Sequence, residues 1–296
     1  MQKRIVMNAY HNIVELILRE GTPKDTRTGI GTLAIAGVKF EHDMATGFPL
    51  LTTKKVPFRH VATELEFFIK GYTDKRWLQD RGIHIWDEWA NQKKAPYGHS
   101  DEAKQKMQEE RDLGPVYGFQ WRHFGAEYES YDTDYTNKGI DQLKNLVNTL
   151  KTEPTSRRMM VSSWNPKDLH LMGLPPCHYA WQVDVIDSKL NLLWNQRTVD
   201  TMLGLPFNIA SYGLLLHILA KETGLKEGKL VGFLGDVHIY NPHIENAKKL
   251  LERDTAKYLL PSVETTTFES IFTWKAEDSK INDYKHYPTL KFEIAV

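Results

Sequence analysis

Cysteine is almost absent from this chain: one residue, Cys177, in 296. No intrachain disulfide can form, which permits a reducing compartment. An excess of one charge is missing as well. Lysine plus arginine and aspartate plus glutamate each total 38, so net charge gives no sign of a nucleic-acid partner, and none is expected. Long hydrophobic runs are also lacking. The most apolar stretch, 213–220, is interrupted by His217 and is too short to span a bilayer. Lys3 and Arg4 are not followed by the unbroken apolar stretch of a signal peptide. No internal repeat is visible, and no linker is long enough to separate a pair of domains. The expectation is a soluble, cytoplasmic protein forming a single domain over 1–296. Its 41% hydrophobic and 11% aromatic content suffices for a sizeable core.

What is present reads as mixed secondary structure. Val6, Tyr10, Ile13, Val14, Ile17 and Leu18 follow helical spacing, and Gly21 can end that helix. Residues 32–40 alternate as a strand. Pro57 can open a helix running to Lys70, with Val61, Leu65 and Phe68 as its apolar stripe. Glu64 falls in that stripe, and Glu66 lies on another face, about 200° round. Residues 93–113 look solvated and read as a surface insert or small subdomain, and 125–139 as a long loop. A helix is marked by Ile140, Leu143, Val147 and Leu150. Strands are expected over 159–164, 178–186, 190–196, 231–240 and 290–295. Residues 209–223 are apolar nearly all round, as in a buried helix ending at Gly224. Without a regular βα alternation, the class is α+β.

Several residues suggest chemistry. Cys177 sits between a proline pair and His178. A lone cysteine is commonly a small buried hydrophobe, but its thiolate is a nucleophile when a nearby cation lowers its pKa. Adjacent residues in a strand point to opposite faces, so His178 is not the base of a Cys/His pair. A glutamate in an apolar stripe is costly unless bonded or protonated, so the pKa of Glu64 should be raised. Asn208 offers both a donor and an acceptor; it could equally cap a helix starting near 209. Asp236, His238 and His243 match no common zinc spacing, and no metal is expected.

Ten stretches, in order, resemble the thymidylate synthase family over nearly the whole chain. They are Asp-Thr-Arg-Thr-Gly-Ile-Gly-Thr-Leu (25–33), Phe-Pro-Leu-Leu-Thr-Thr-Lys-Lys (48–55), Ile-Trp-Asp-Glu-Trp (85–89), Gly-Pro-Val-Tyr-Gly-Phe-Gln-Trp-Arg (114–122) and Ser-Arg-Arg (156–158). Pro-Pro-Cys-His (175–178), Gln-Arg-Thr-Val-Asp (196–200), Leu-Gly-Leu-Pro-Phe-Asn (203–208), Gly-Asp-Val-His-Ile-Tyr (235–240) and the terminal Lys-Phe-Glu-Ile-Ala-Val follow. The resemblance implies a large mixed sheet, helices packed around a buried central helix, and the sheet at a homodimer interface. It implies reductive methylation of deoxyuridylate (dUMP) to thymidylate (dTMP) by 5,10-methylenetetrahydrofolate, with release of dihydrofolate.

By this resemblance Cys177 is the thiolate that adds to carbon 6 of uracil, favoured by a neighbouring arginine and a low local dielectric. Glu64 carries protons through ordered water, Tyr117 serves proton removal at carbon 5, and His178 joins the polar network around the pyrimidine. Arg27 and Arg197 hold the phosphate from the same subunit; Arg157 and Arg158 reach the partner's site. Asn208 reads the base, His238 and Tyr240 hold the ribose, and Gln196, Thr198 and Asp200 complete the nucleotide contacts. The catalytic set also includes Arg197, Asn208 and Asp200. Ile85, Trp86, Trp89, Leu203, Gly204 and Phe207 form the folate's walls. Asp200 meets the pterin and Lys54 the glutamyl tail. Ala295 and Val296 belong to a tail that closes over the folate; the plain alternative is a last strand.

Thr198 stands where the family usually has serine, Glu66 where it often has leucine, and Asn195 where it often has tyrosine. The alternative functions are a dUMP hydroxymethylase of the same family and a catalytically weak nucleotide- or RNA-binding relative. Asn208 argues against a cytidylate-specific hydroxymethylase.

Overall fold

The computed structural model describes residues 5–26 and 29–293. Helix α1 (Ile5–Glu20) buries Tyr10, Ile13, Val14 and Ile17 along one stripe, and Gly21 closes it by donating to the Ile17 carbonyl at 2.8 Å. Strands β1 (Thr22–Lys24) and β2 (Thr32–Asp43) follow. Helix α2 (Phe58–Ile69) starts directly after Pro57. Three short helices come next: α3 (Arg76–Gln79), α4 (Asp101–Glu109) and α5 (Gly118–His123). Then α6 (Gln142–Thr152) leads into β3 (Met160–Ser162), β4 (His178–Ile186) and β5 (Lys189–Asp200). The long α7 (Gly204–Thr223) crosses to β6 (Lys226–Tyr240). Helix α8 (Ile244–Leu251) and the hairpin of β7 (Ser262–Thr265) and β8 (Ser279–Asn282) complete the elements.

Six strands form one mixed sheet in the order β1-β2-β6-β5-β4-β3. Only β5 and β6 run parallel, because the α7 crossover joins them. A row across the sheet, Phe40–Gly232–Trp194–Trp181, faces the helices and is buried. Gly232 is needed in that row: a Cβ there would lie 2.4 Å from the Trp194 ring. The opposite face presents Met160, Ile186 and Phe233, all exposed. Buried α7, packed against β5 and β6, is the central helix that its apolar composition requires.

Three expectations are corrected. First, α7 begins at Gly204, five residues before the expected start, so Asn208 lies inside the helix and is not its cap. Pro206 does not prevent this, since N–H groups in a first helical turn have no intrahelical partner. Second, 290–293 are not strand. Their backbone is engaged by side chains instead: His243 donates to the Glu293 carbonyl and Asn246 to that of Lys291, both at 2.8 Å. Third, 93–113 is not solvated throughout. Ala95 and Met107 form a small core with Ala90, and the buried Lys75 ammonium bonds the carbonyls of Asp87, Trp89 and Met107. Residues 125–139 form the expected loop, anchored by Tyr128 and Tyr135, which pack edge-on against Phe119.

Candidate active site

The C-terminal ends of β5 and β6, the start of α7 and the segment before β4 surround a cavity of about 730 Å³. From α2, Glu64 enters it within the buried stripe of Val61, Leu65 and Phe68. Burial pushes its carboxyl up to about 7, although the Trp86 indole donates to Oε1 at 2.8 Å and pulls the other way. Glu66 lies outside the cavity, where its carboxylate accepts the Ala276 N–H at 2.8 Å. This gives that departure from the family pattern a structural role.

Tyr117 precedes α5 with φ 21° and ψ −83°, a sparsely populated conformation that costs on the order of 1–3 kcal/mol. Its neighbour Gly118 allows α5 to touch α2: a Cβ there would stand 2.4 Å from the Phe68 carbonyl oxygen. The Tyr117 ring stacks on Phe68 at 4.9 Å and lies 4.4 Å from His178. Its hydroxyl accepts the Cys177 N–H at 2.8 Å. Burial holds the phenol well above its ordinary pKa, reinforced by the Cys177 charge.

The Pro-Pro-Cys segment is gripped by Arg197. Its guanidinium donates to the carbonyls of Pro175 at 2.8 Å and Pro176 at 2.9 Å, and stands 3.9 Å from Cys177 Sγ. Burial raises the thiol's pKa, opposed by Arg197 and by Tyr117. The expectation about dielectric is therefore corrected: low dielectric disfavours the thiolate, and only the arginine and the phenol favour it. His178 faces Tyr212, with Nδ1 2.9 Å from that hydroxyl, and burial pushes the imidazole down to about 3, leaving it neutral.

On β5, Gln196 links two groups. Its Oε1 accepts the Trp194 indole N–H at 3.0 Å, and its Nε2 donates to Asn208 Oδ1 at 2.9 Å. Asp200 Oδ1 accepts the N–H groups of Met202 and Leu203, turning the chain into α7. At the end of β6, His238 Nδ1 lies 2.9 Å from Asp236 Oδ1, and Lys24 bonds the other carboxylate oxygen. Burial favours a neutral Asp236, but these two hydrogen bonds hold its pKa lower. Thr198, Tyr240, Ile85, Trp86, Trp89, Leu203, Gly204 and Phe207 also line the cavity.

Some expected residues lie elsewhere. Lys54 is buried beneath the start of α7, where it bonds the Met202 carbonyl and sits 4.8 Å from the Phe292 ring; burial lowers its pKa to about 8. Arg157 and Arg158 are exposed ahead of β3 and do not line this cavity. Arg27, Ala295 and Val296 lie outside the described residues. Sequence reasoning missed Lys24, Asp25, Thr26, Thr32, Leu174, Val199 and Asp236, all of which line the cavity. Most fall inside or beside the quoted motifs, the signal that could have found them. It also missed Tyr97, which stacks on the back of Trp89 at 5.8 Å and 14°. Among the described residues no cluster of three or more His, Cys, Asp or Glu is arranged to hold a metal ion, and no helix is long and apolar enough to cross a membrane.

One cavity that gathers a thiol, a near-neutral carboxyl and two opposed amides has the make-up of an enzyme active site. The chain belongs to the thymidylate synthase family, whose model, described as Thymidylate synthase, matches residues 8–296. It is 46% identical over 288 residues to the thymidylate synthase of Homo sapiens, covering 97% of this chain and 90% of that protein. It is 45% identical over 291 residues to the thymidylate synthase of Varicella-zoster virus (strain Dumas), covering 97% and 93%. The bifunctional dihydrofolate reductase-thymidylate synthase of Paramecium tetraurelia is 44% identical over 289 residues, 98% of this chain; the chain spans 61% of that protein's length.

Proposed function

We propose that this chain is a thymidylate synthase acting as one catalytic domain, converting dUMP and 5,10-methylenetetrahydrofolate to dTMP and dihydrofolate. The observation that carries the reading is the meeting of Cys177, Arg197, Tyr117 and Asn208, each at its motif position, with the buried Glu64 around one cavity.

In this reading the Cys177 thiolate adds to carbon 6 of uracil, and the displaced electron pair makes carbon 5 a nucleophile toward the one-carbon unit. Methylenetetrahydrofolate supplies both that unit and the hydride. Glu64, with a pKa near the working pH, exchanges protons with O4 and the folate nitrogen through water. Tyr117 assists loss of the carbon 5 proton as the bond between the methylene and the folate nitrogen breaks and tetrahydrofolate leaves. Hydride from tetrahydrofolate then reduces the exocyclic methylene, giving dihydrofolate, while the thiolate leaves carbon 6 and the 5,6 double bond re-forms as dTMP. Arg197 has two tasks, phosphate binding and support of the thiolate; Arg27 shares the first. Asn208 reads the base, His238 and Tyr240 the ribose, and Trp86, Trp89 and Phe207 wall the folate. Asp200 meets the pterin.

The partner in this reading is a second copy of the chain. Exposed Met160, Ile186 and Phe233 on the open sheet face supply an apolar surface, and Arg157 and Arg158, unused in their own cavity, reach the partner's. Product analysis tests the activity. Supplied with dUMP and methylenetetrahydrofolate, the protein should form dTMP and dihydrofolate one for one. Hydroxymethyl-deoxyuridylate with tetrahydrofolate would overturn the methylation assignment.

A further inference from the structure

The relay from Trp194 through Gln196 to Asn208 has a fixed polarity. An amide's oxygen and nitrogen can exchange places by a flip, so an amide pair alone is ambiguous. An indole N–H is not, because it can only donate. Trp194 Nε1 lies 3.0 Å from the Gln196 amide, so the atom facing it must be the oxygen. The Gln196 nitrogen then faces Asn208 at 2.9 Å, and the atom it meets must be oxygen in turn. The Asn208 NH₂ is the end left disengaged from Gln196, on a residue that lines the cavity.

The indole itself is held in place. Trp194 is fully buried; Tyr212 stacks on it at 5.3 Å and 9°, Phe40 tilts against it at 5.7 Å, and Gly232 leaves the room it occupies.

We infer that Trp194 is a positioning residue for base selection: its N–H sets the two amides so that Asn208 presents a donor to the 4-oxo group of uracil. The 4-amino group of cytosine needs the reverse. Without the indole N–H, both amides can flip together and Asn208 can present its oxygen. This inference rests on the assignment of Asn208 as base reader.

The test is the ratio of kcat/KM for deoxyuridylate to that for deoxycytidylate, in a competition assay, with thermal stability measured alongside. Trp194→Phe keeps an aromatic ring and loses the N–H. It should lower the ratio about tenfold, the scale of one lost buried hydrogen bond. Phe40→Leu loosens the same packing but keeps the N–H; it should cost stability and leave the ratio unchanged. An unchanged ratio in Trp194→Phe, or equal loss in both variants, overturns the inference. If Trp194→Phe does not fold, β-(3-benzothienyl)alanine at position 194 keeps the indole's shape without its N–H and decides by the same ratio. Asn208→Asp separates the two claims. If Asn208→Asp leaves the preference unchanged, the base-reading assignment falls and this inference with it. If Asn208→Asp shifts the preference and neither Trp194 variant does, only the role of Trp194 falls.

Discussion

The Trp86 indole N–H donates to Glu64 Oε1 at 2.8 Å, so a wall of the cavity and its buried carboxyl are one unit. Burial lifts Glu64 to about 7, and this bond is what opposes a further rise. Trp86→Phe should therefore move the carboxyl's titration to higher pH, displacing the matching limb of the kcat profile upward. Glu64→Gln should cut turnover about a hundredfold or more, the usual scale for a lost acid–base group.

The same carboxyl should mark the stability of the ligand-free protein. Its folded-state pKa lies above the ordinary carboxylate value, so the native state holds a proton that the unfolded chain has released. Its stabilising contribution is complete below the ordinary value of 4.5 and is lost as pH rises through about 7. Thermal melts between about pH 5 and 8 should show a downward slope that Glu64→Gln flattens. An unchanged slope in the variant would assign the dependence to other groups.

Cys177→Ala should abolish methyl transfer and leave dUMP affinity within a few-fold of the parent. In the proposed mechanism covalent addition activates carbon 5, whereas phosphate and ribose contacts supply much of the binding. Isothermal titration together with a product assay checks both halves. Near-normal turnover without the thiol would end the nucleophile assignment.

Arg157→Ala and Cys177→Ala subunits, each impaired alone, should regain activity when mixed. If the arginine acts across the interface, a mixed dimer holds one site with both defects and one with neither. Verified subunit exchange without recovered activity would show that the sites are not shared.

Gly118→Ala should destabilise the fold by about 1–3 kcal/mol, the usual range for overpacking. The added methyl would meet backbone, with the Phe68 oxygen at 2.4 Å and its Cα at 2.7 Å, and backbone yields little. Activity should fall as well, because Tyr117 immediately precedes Gly118. A melting temperature equal to that of the parent would show that α2 and α5 separate freely.

Local patterns made much of this molecule legible. The run 209–223 announced α7, β4 falls on the expected 178–186, and the place of Glu64 within an apolar stripe pointed to its raised pKa. Contacts between distant segments stayed hidden. Lys75 looks like an ordinary surface charge until three carbonyls from two other segments surround it. Tyr97 sits in a polar stretch, and only the fold brings it behind Trp89. Gly204 and Pro206 precede the apolar run from which the helix is expected, yet the turn made by Asp200 lets α7 start among them. In the tail, side-chain donors from α8 and the turn before it replace a strand neighbour, which alternation alone does not distinguish.

The central place of β6 bears on how the molecule comes into being. It separates β2 from β5, and its pairing of Tyr240 with Thr32 joins residues from opposite ends of the chain. On the ribosome, β1 and β2 must wait for a partner made some two hundred residues later, a long-range closure of the kind that slows folding. Until β6 emerges, the nascent sheet is two separate pieces, with Glu64, Tyr117 and Cys177 already made and His238 and Tyr240 still to come. A ribosome-stalled chain ending before Lys226 should therefore retain no dUMP, while one stalled with β6 fully outside the exit tunnel should begin to do so.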